Sequence, residues 1–264
     1  MPLDQHFLIS VEVVENLIQA AGVRREDVVV DVGAGRGAIT AALAERAGAV
    51  YAVESDGRLL PYLHALSRTH PNVMVFHGNF LTLRLPPYTK IVANPPFSIL
   101  EPMIQKHIHR PVPMSLLTPE RFAERITDTT PKTLLAYILQ IVYRAEVVEV
   151  YAGDILDPAY PGKVSHLLLE PRKLGQTDQH MLEFMRQRAS KVRNALRNML
   201  WKNMHKRDAT RLVELSSLSE PTLNKRVARI TLKEAQAIHG FINECLAKGF
   251  MFKNDYEQKP SDVP

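Results

Sequence analysis

The sequence predicts an α/β fold, a mostly parallel sheet followed by a small C-terminal helical domain, on three observations. Short β-branched runs alternate with helical periodicity through the first two thirds of the chain. A glycine-rich turn, Gly33-Ala34-Gly35-Arg36-Gly37, sits between one such run and an alanine-rich segment. After Pro171 the strand pattern stops, and the sequence becomes helical and basic.

The elements follow in order. Val11, Val14, Leu17, Ile18 and Ala21 recur at helical spacing behind Ser10, a good N-cap, and Gly22 ends the segment, so 11–21 is expected as a helix. Val28-Val29-Val30 is expected as a strand, the stretch from Ala38 to Ala47 as a helix, and Ala49 to Val53 as a second strand, which together make a βαβ unit. A helix near Arg58 to Thr69, a strand from Val73 to Phe76 and a strand Lys90-Ile91-Val92-Ala93 continue the alternation. A helix from Pro102 to Ile108, a strand from Pro113 to Leu117 and a helix from Leu134 to Tyr143 come next. Strands at Ala145 to Val150 and Val164 to Leu169 complete the sheet as an antiparallel edge. The expected domains are 1–172 for the sheet and 173–252 for the helical part, with a polar, flexible tail at 253–264.

A chain of 264 residues with 45% hydrophobic content can bury one large core and a smaller one. A net charge of +5 is compatible with a polyanionic partner, so the location of the charge has to decide. The single cysteine, Cys245, excludes an internal disulfide and a cysteine metal cluster, and no metal is expected. Neither a secretion signal nor a run of membrane-spanning length is evident, so the reading is a cytoplasmic protein with no membrane association.

Four positions carry the chemistry. Glycines at 33, 35 and 37 let a ligand approach the backbone with no Cβ in the way; their spacing behind Asp31 suits the methionine part of S-adenosylmethionine better than a dinucleotide phosphate. Glu54, at the end of the second strand, is placed to accept hydrogen bonds from ribose hydroxyls, with Asp56 the weaker candidate. Asn79 can meet an adenine edge or serve as a plain turn residue after Gly78. Asn94-Pro95-Pro96-Phe97 follows a strand of the sheet, where ligands gather. An Asn oxygen and the next carbonyl can accept both N–H bonds of an adenine amine, drawing its lone pair out of the ring. Pro95 stiffens this turn, and Phe97 offers a face to an unstacked base.

These segments, from Asp4-Gln5-His6-Phe7-Leu8 through Asp31 to Gly37, Glu54, Asn94 to Phe97 and Phe122-Ala123-Glu124-Arg125-Ile126, resemble the rRNA adenine N6-dimethyltransferases that modify small-subunit ribosomal RNA. Lys191 to Leu196 and Leu223 to Val227 followed by Glu234 are similar to the small domain of archaeal and eukaryotic-type members. The resemblance implies a Rossmann-like methyltransferase fold and S-adenosylmethionine as donor. It implies donor contacts from Gln5, His6, Leu8, Gly33, Gly35, Glu54, Asn79 and Asn94, and a catalytic turn of Asn94, Pro95 and Phe97. It further implies a ribosomal RNA partner, within a small-subunit assembly particle, for a monomeric enzyme. This chain departs from the family in having His6 for Asn, Asn79 for Asp, Pro96-Phe97 for an aliphatic residue and Tyr, and Gly162-Lys163-Val164-Ser165-His166 for Pro-Lys-Val-Asp-Ser.

Lys191, Arg193, Arg197, Lys202, Lys206 and Arg207 form a basic stretch between Arg186 and Arg211 in which Asp208 is the only acid, so it is the expected RNA-binding surface. Trp201 is expected as a core or interface anchor, and Met181, Met185, Met199 and Met204 as helix packing. His107 and His109 read as surface or RNA-facing residues. The leading expectation is dimethylation of small-subunit rRNA. The alternatives are a large-subunit rRNA or DNA target, or a non-catalytic RNA-binding ribosome assembly factor.

Overall fold

A computed structural model describes residues 5–250, and the chain divides into two compact units, 1–172 and 173–264. The expected tail at 253–264 lies outside the described residues.

The first unit opens with β1 (Phe7–Leu8), α1 (Val11–Ala20), β2 (Val28–Val32), α2 (Ala38–Ala44), β3 (Ala49–Glu54), α3 (Leu60–Thr69), β4 (Val73–His77) and β5 (Lys90–Ala93). It continues with α4 (Leu100–Lys106), β6 (Met114–Pro119), α5 (Glu120–Thr127), α6 (Leu134–Val142), β7 (Tyr143–Tyr151), β8 (Leu156–Asp157) and β9 (Val164–Pro171). Seven strands form one sheet in the order β4-β3-β2-β5-β6-β9-β7. The first five are parallel, and β9 runs antiparallel between β6 and β7. From β2 the chain builds outward through β3 and β4, then returns to the other flank of β2 with β5. A crevice therefore opens at the carboxyl ends of β2 and β5, the place where such sheets hold ligands.

The β-branched residues of β2 and β3 explain why this centre is rigid. Val29, Val50 and Ala52 have no exposed surface, and Leu17 and Ile18 of α1 and Leu43 of α2 pack into the same core. Fully burying each such aliphatic side chain stabilises the fold by roughly 1.5–3 kcal/mol. Ser10 caps α1 by accepting from the Val13 N–H, and Gly22 leaves the helix end with a φ of +54°.

Several boundaries differ from the sequence expectation for identifiable reasons. Helix α2 stops at Ala44 because the chain must turn to Gly48, whose N–H donates to the Asp27 carbonyl. Helix α3 starts at Leu60, because Arg58 is held outside it by the Asp56 carboxylate at 2.6 Å. Helix α4 starts earlier, at Leu100, since Pro102 falls in a first turn that does not need its N–H. The sequence pattern assigns no element to α5. Nor does it assign β1 and β8, which pair antiparallel through Phe7 with Asp157 and Leu8 with Leu156. Strand β7 is longer than expected, with a register shift between Val147 and Glu149 along the sheet edge.

The second unit contains α7 (Gln176–Arg186), α8 (Val192–Trp201), α9 (Lys206–Glu214), α10 (Glu220–Asn224) and α11 (Leu232–Ala247). Thr231 and Glu234 form a reciprocal capping box at the start of α11, and Glu234 also accepts from Lys225 Nζ at 2.7 Å. The segment at Lys191 lies beside that at Arg226, with the Val192 N–H donating to the Lys225 carbonyl at 2.9 Å. Met181 and Met199 are buried, and Met185 and Met204 are half-buried. Trp201 corrects the expectation: it is 51% exposed, and the Lys206 ammonium lies 5.0 Å from its ring centre. It closes α8, whose inward face is already taken by Val192, Ala195, Leu196, Met199 and Leu200.

Candidate active site

The crevice above β2 and β5 holds about 320 Å³, and its walls include Gln5, His6, Leu8, Asp31, Gly33, Gly35, Glu54, Asn79, Asn94, Pro95 and Phe97. The sheet topology thus brings the sequence-predicted donor and catalytic residues of the first unit into one cavity. Lys191, Arg193, Arg197, Lys202, Lys206 and Arg207 belong to the second unit.

The glycine turn has to be glycine for reasons of space as well as backbone angle. Gly33 has a φ of +74°, and a Cβ there would lie 2.8 Å from Pro96 Cδ. Gly35 has a φ of +58°, and a Cβ there would meet the Phe7 ring at 3.1 Å. The turn is tied to the next strand, since the Gly33 and Ala34 N–H groups donate to the Val53 carbonyl at 2.9 and 3.1 Å.

Glu54 is 5% exposed, and three backbone N–H groups already donate to its carboxylate: Gly35 to Oε2, and Ser55 and Asp56 to Oε1, each at 2.8 Å. It therefore braces the glycine turn, a role the sequence does not reveal. A carboxylate has about four acceptor positions, so capacity remains for a hydroxyl. Asp56 accepts from Gln5 Nε2 at 3.1 Å and from Arg58, and these hydrogen bonds hold its carboxyl well below the ordinary range.

Asp31 went unweighted in the sequence beyond its place before the glycines. It is 1% exposed, accepts from Thr40 Oγ1 at 2.6 Å and lines the cavity. Burial drives its carboxyl up to about 7; the Thr40 hydrogen bond opposes this shift and the nearby Glu54 charge adds to it.

Asn79 is exposed, with its Oδ1 taken by the Leu81 N–H at 2.9 Å, so its amide N–H₂ is the end available to a ligand. The loop behind it is held from outside. Lys106 of α4 donates to the Phe80 carbonyl at 2.7 Å with its ammonium 4.6 Å from the Phe80 ring centre. His107 stacks on the same ring at 6.0 Å, and its Nε2 accepts from Tyr88 Oη at 2.6 Å. This corrects the surface reading of His107, which is 4% exposed; burial lowers its pKa, and its Nδ1 donates to the Met103 carbonyl.

Asn94 leaves β5 half-buried, and its Nδ2 donates to the His6 carbonyl at 2.7 Å. That bond fixes which end of the amide faces the cavity: Oδ1 is buried and has no protein partner. An unsatisfied buried acceptor is costly, of the order of 1–3 kcal/mol, unless a ligand donor meets it. Phe97 stacks near-parallel to His6 with ring centres 6.3 Å apart, and Tyr160 stands edge-on to both at 5.1 and 5.6 Å. Tyr160 was not anticipated; the signal for it was an aromatic between Pro158 and Pro161.

In the second unit the basic stretch is not uniform. Arg193 pairs with Glu220 at 2.6 Å and Glu214 at 4.0 Å, and Lys202 pairs with Glu183. The expectation of a basic stretch without compensating acids is therefore corrected, because Glu183, Glu214 and Glu220, just outside the interval, supply them. Arg197 is half-buried, while Lys191, Lys206 and Arg207 are exposed. Among the described residues no cluster of side chains is suited to hold a metal ion, and no helix is long and apolar enough to cross a membrane.

Residues 2–222 match the family described as ribosomal RNA adenine dimethylase. The chain is 37% identical over 126 residues to a probable ribosomal RNA small subunit methyltransferase A of Methanopyrus kandleri, a match covering 47% of this chain and 45% of that protein. To the similarly named protein of Thermococcus kodakarensis it is 27% identical over 250 residues, 92% of this chain and 89% of that one. The crystal structure of a dimethyladenosine transferase from Plasmodium falciparum is similar in fold, with a TM-score of 0.63 at 20% identity, covering 92% and 98% of the two chains.

Proposed function

The chain belongs to the ribosomal RNA adenine dimethylase family, and from that premise we propose that it transfers methyl groups from S-adenosylmethionine to N6 of an adenine in small-subunit ribosomal RNA, twice on the same nitrogen. The proposed setting is a small-subunit assembly particle in the cytoplasm, with the protein acting as a monomer. The observation that carries the reading is Asn94 Oδ1, a buried acceptor without a protein partner, beside a cavity lined by glycines and a braced carboxylate.

The residues suit such a donor. Gly33 and Gly35 line the cavity with backbone and make room for Pro96 and the Phe7 ring, Glu54 keeps acceptor capacity for ribose hydroxyls, and Asn79 presents its amide N–H₂ to an adenine edge. Gln5, His6 and Leu8 close the cavity from the N-terminal side. When bound, S-adenosylmethionine supplies an electrophilic methyl carbon on a sulfonium.

Adenine N6 is a weak nucleophile because its lone pair is delocalised into the ring. Asn94 Oδ1 and the Pro95 carbonyl accept the two N6–H bonds and favour a tetrahedral nitrogen, whose lone pair then points at the methyl carbon. Held by the glycine turn, Glu54 and Asn79, the donor would supply the methyl carbon for the new N–C bond, and its sulfur would take up the electron pair of the S–C bond that breaks. The nitrogen becomes positively charged and sheds a proton through the same acceptors to water, so no strong base is required. Phe97 offers a stacking face to the unstacked base. For the second transfer the methylated nitrogen turns so that its remaining N–H meets one acceptor. Lys191, Lys206 and Arg207 are proposed to hold RNA phosphates, with Arg197 partly engaged in packing.

The test is methyl transfer from labelled donor to separate small-subunit RNA, large-subunit RNA and DNA, followed by mass spectrometry of the nucleosides. Dimethyladenosine from small-subunit RNA is the expected product. Asn94→Ala should lower turnover about 10²–10³-fold, the scale for losing one preorganised transition-state contact, while RNA binding persists. Label confined to DNA or to large-subunit RNA, or an Asn94→Ala variant of undiminished turnover, would reject the proposal.

A further inference from the structure

We infer that His6 is a positioning residue for methyl transfer, acting through Asn94; this rests on the reading of Asn94 as the acceptor for the adenine amine. Its backbone carbonyl is the group that receives Asn94 Nδ2, at 2.7 Å, across 88 residues of sequence. An amide has two chemically opposite ends. Without a carbonyl at that point, nothing named around Asn94 would prefer its oxygen over its N–H₂ facing the cavity, and the wrong end would offer donors to an amine that is itself a donor.

The position of that carbonyl is held by the His6 side chain. Nδ1 donates to the Pro158 carbonyl at 2.7 Å, and the ring packs on Phe97 and against Tyr160. Beyond the β1–β8 ladder the Ile9 N–H donates to the Ile155 carbonyl at 3.0 Å, and on the other side the Gln5 side chain donates to the Asp56 carboxylate at 3.1 Å. The imidazole thus joins the N-terminal strand, the loop at Pro158 and the catalytic turn, and its anchorage is transmitted to the Asn94 oxygen. Loss of the imidazole lets the carbonyl drift and the amide rotate, which lowers the chemical step more than the binding of either substrate.

The experiment compares wild type, His6→Ala, His6→Asn, Asn94→Asp and the double variant His6→Ala/Asn94→Asp in methyl transfer to small-subunit RNA, with donor Kd from calorimetry and Tm for each. Asp at position 94 keeps oxygen acceptors but has no N–H for the His6 carbonyl, so it cuts the proposed link. The expected result is a kcat about tenfold lower for His6→Ala, a larger change than in RNA KM or in the donor Kd, which itself rises because the ring also lines the cavity. His6→Asn, whose amide can still donate to the Pro158 carbonyl, should recover part of the loss. In the Asn94→Asp background, His6→Ala should cost less than about twofold. An unchanged kcat for His6→Ala overturns the inference, as does an equal loss in both backgrounds, which would mean that His6 acts through Phe97 or the donor. If Asn94→Asp turns over too slowly to follow, the kcat against KM split of His6→Ala and the recovery by His6→Asn decide. Undiminished turnover of Asn94→Ala is a separate result and would reject the reading of Asn94 itself.

Discussion

Pro96 lies over Gly33 so closely that a single added carbon would stand 2.8 Å from the proline Cδ. The turn at Asn94–Phe97 and the glycine turn are therefore packed against one another without a spare methyl. Gly33→Ala adds that carbon at a φ of +74°, where any Cβ is strained. Displacement of Pro96 should move Asn94 and narrow the cavity together. Donor binding by calorimetry is expected to weaken at least tenfold; an alanine variant with wild-type affinity would mean that the two turns slide apart freely.

Asp31 is expected to make donor affinity depend on pH. Its folded-state pKa of about 7 stands above the ordinary 3.8, so between those values the folded protein keeps a proton that the unfolded chain has released. Stability accordingly falls as pH rises from about 4 to 7, and the buried carboxylate present above 7 is the form that attracts a positively charged donor. Donor binding should tighten as pH passes through 7. Asp31→Asn should flatten that dependence and gain stability relative to wild type at pH 8 more than at pH 5, as read from urea midpoints. Parallel pH profiles for the two proteins would refute this.

His166 has the opposite linkage. It has no exposed surface, and burial lowers its pKa to about 4 from 6.5, with Ser115 Oγ 2.8 Å from its Nε2. The folded state holds it neutral, so stability is full above 6.5 and is lost as pH falls toward 4. Complete expression of that shift corresponds to roughly 3 kcal/mol at about 1.36 kcal/mol per unit. His166→Gln should be less sensitive to acid over this interval in chemical denaturation, and an unaltered acid limb would remove His166 as its cause.

RNA binding should divide the basic residues. Reversing the charge of Lys191, Lys206 and Arg207 together is expected to reduce the slope of log Kd against log salt by about two to three, since each phosphate contact contributes about 0.7–0.9. Arg193→Ala should leave that slope nearly unchanged and lower Tm, because its guanidinium is engaged with Glu220 and Glu214. The reverse pattern would place the phosphates on Arg193.

The sheet was legible because its central strands are buried and read as short, valine-containing apolar runs, and because the glycine turn marks the first crossover. The members of the cavity wall were legible where residue type and local chemistry coincide, as at Glu54 and Asn94. Partners far apart in sequence were not. Nothing near His6 announces that its carbonyl meets Asn94, and nothing near Glu54 announces that it braces Gly35. The two-residue strands β1 and β8 are too short for any periodicity to detect. The acids that answer Arg193 and Lys202 lie outside the interval where the charges were counted, and Trp201 was misplaced because its size outweighed its position on the outer face of α8.

Lys106 anchors the Phe80 carbonyl from α4, a helix that contributes no residue to the cavity wall. Drift in that helix can consequently retune the pocket by remote control. Two orthologues with identical linings could differ in their hold on a ligand at the Asn79–Phe80 loop, and an inhibitor fitted to the lining of one would not automatically suit the other.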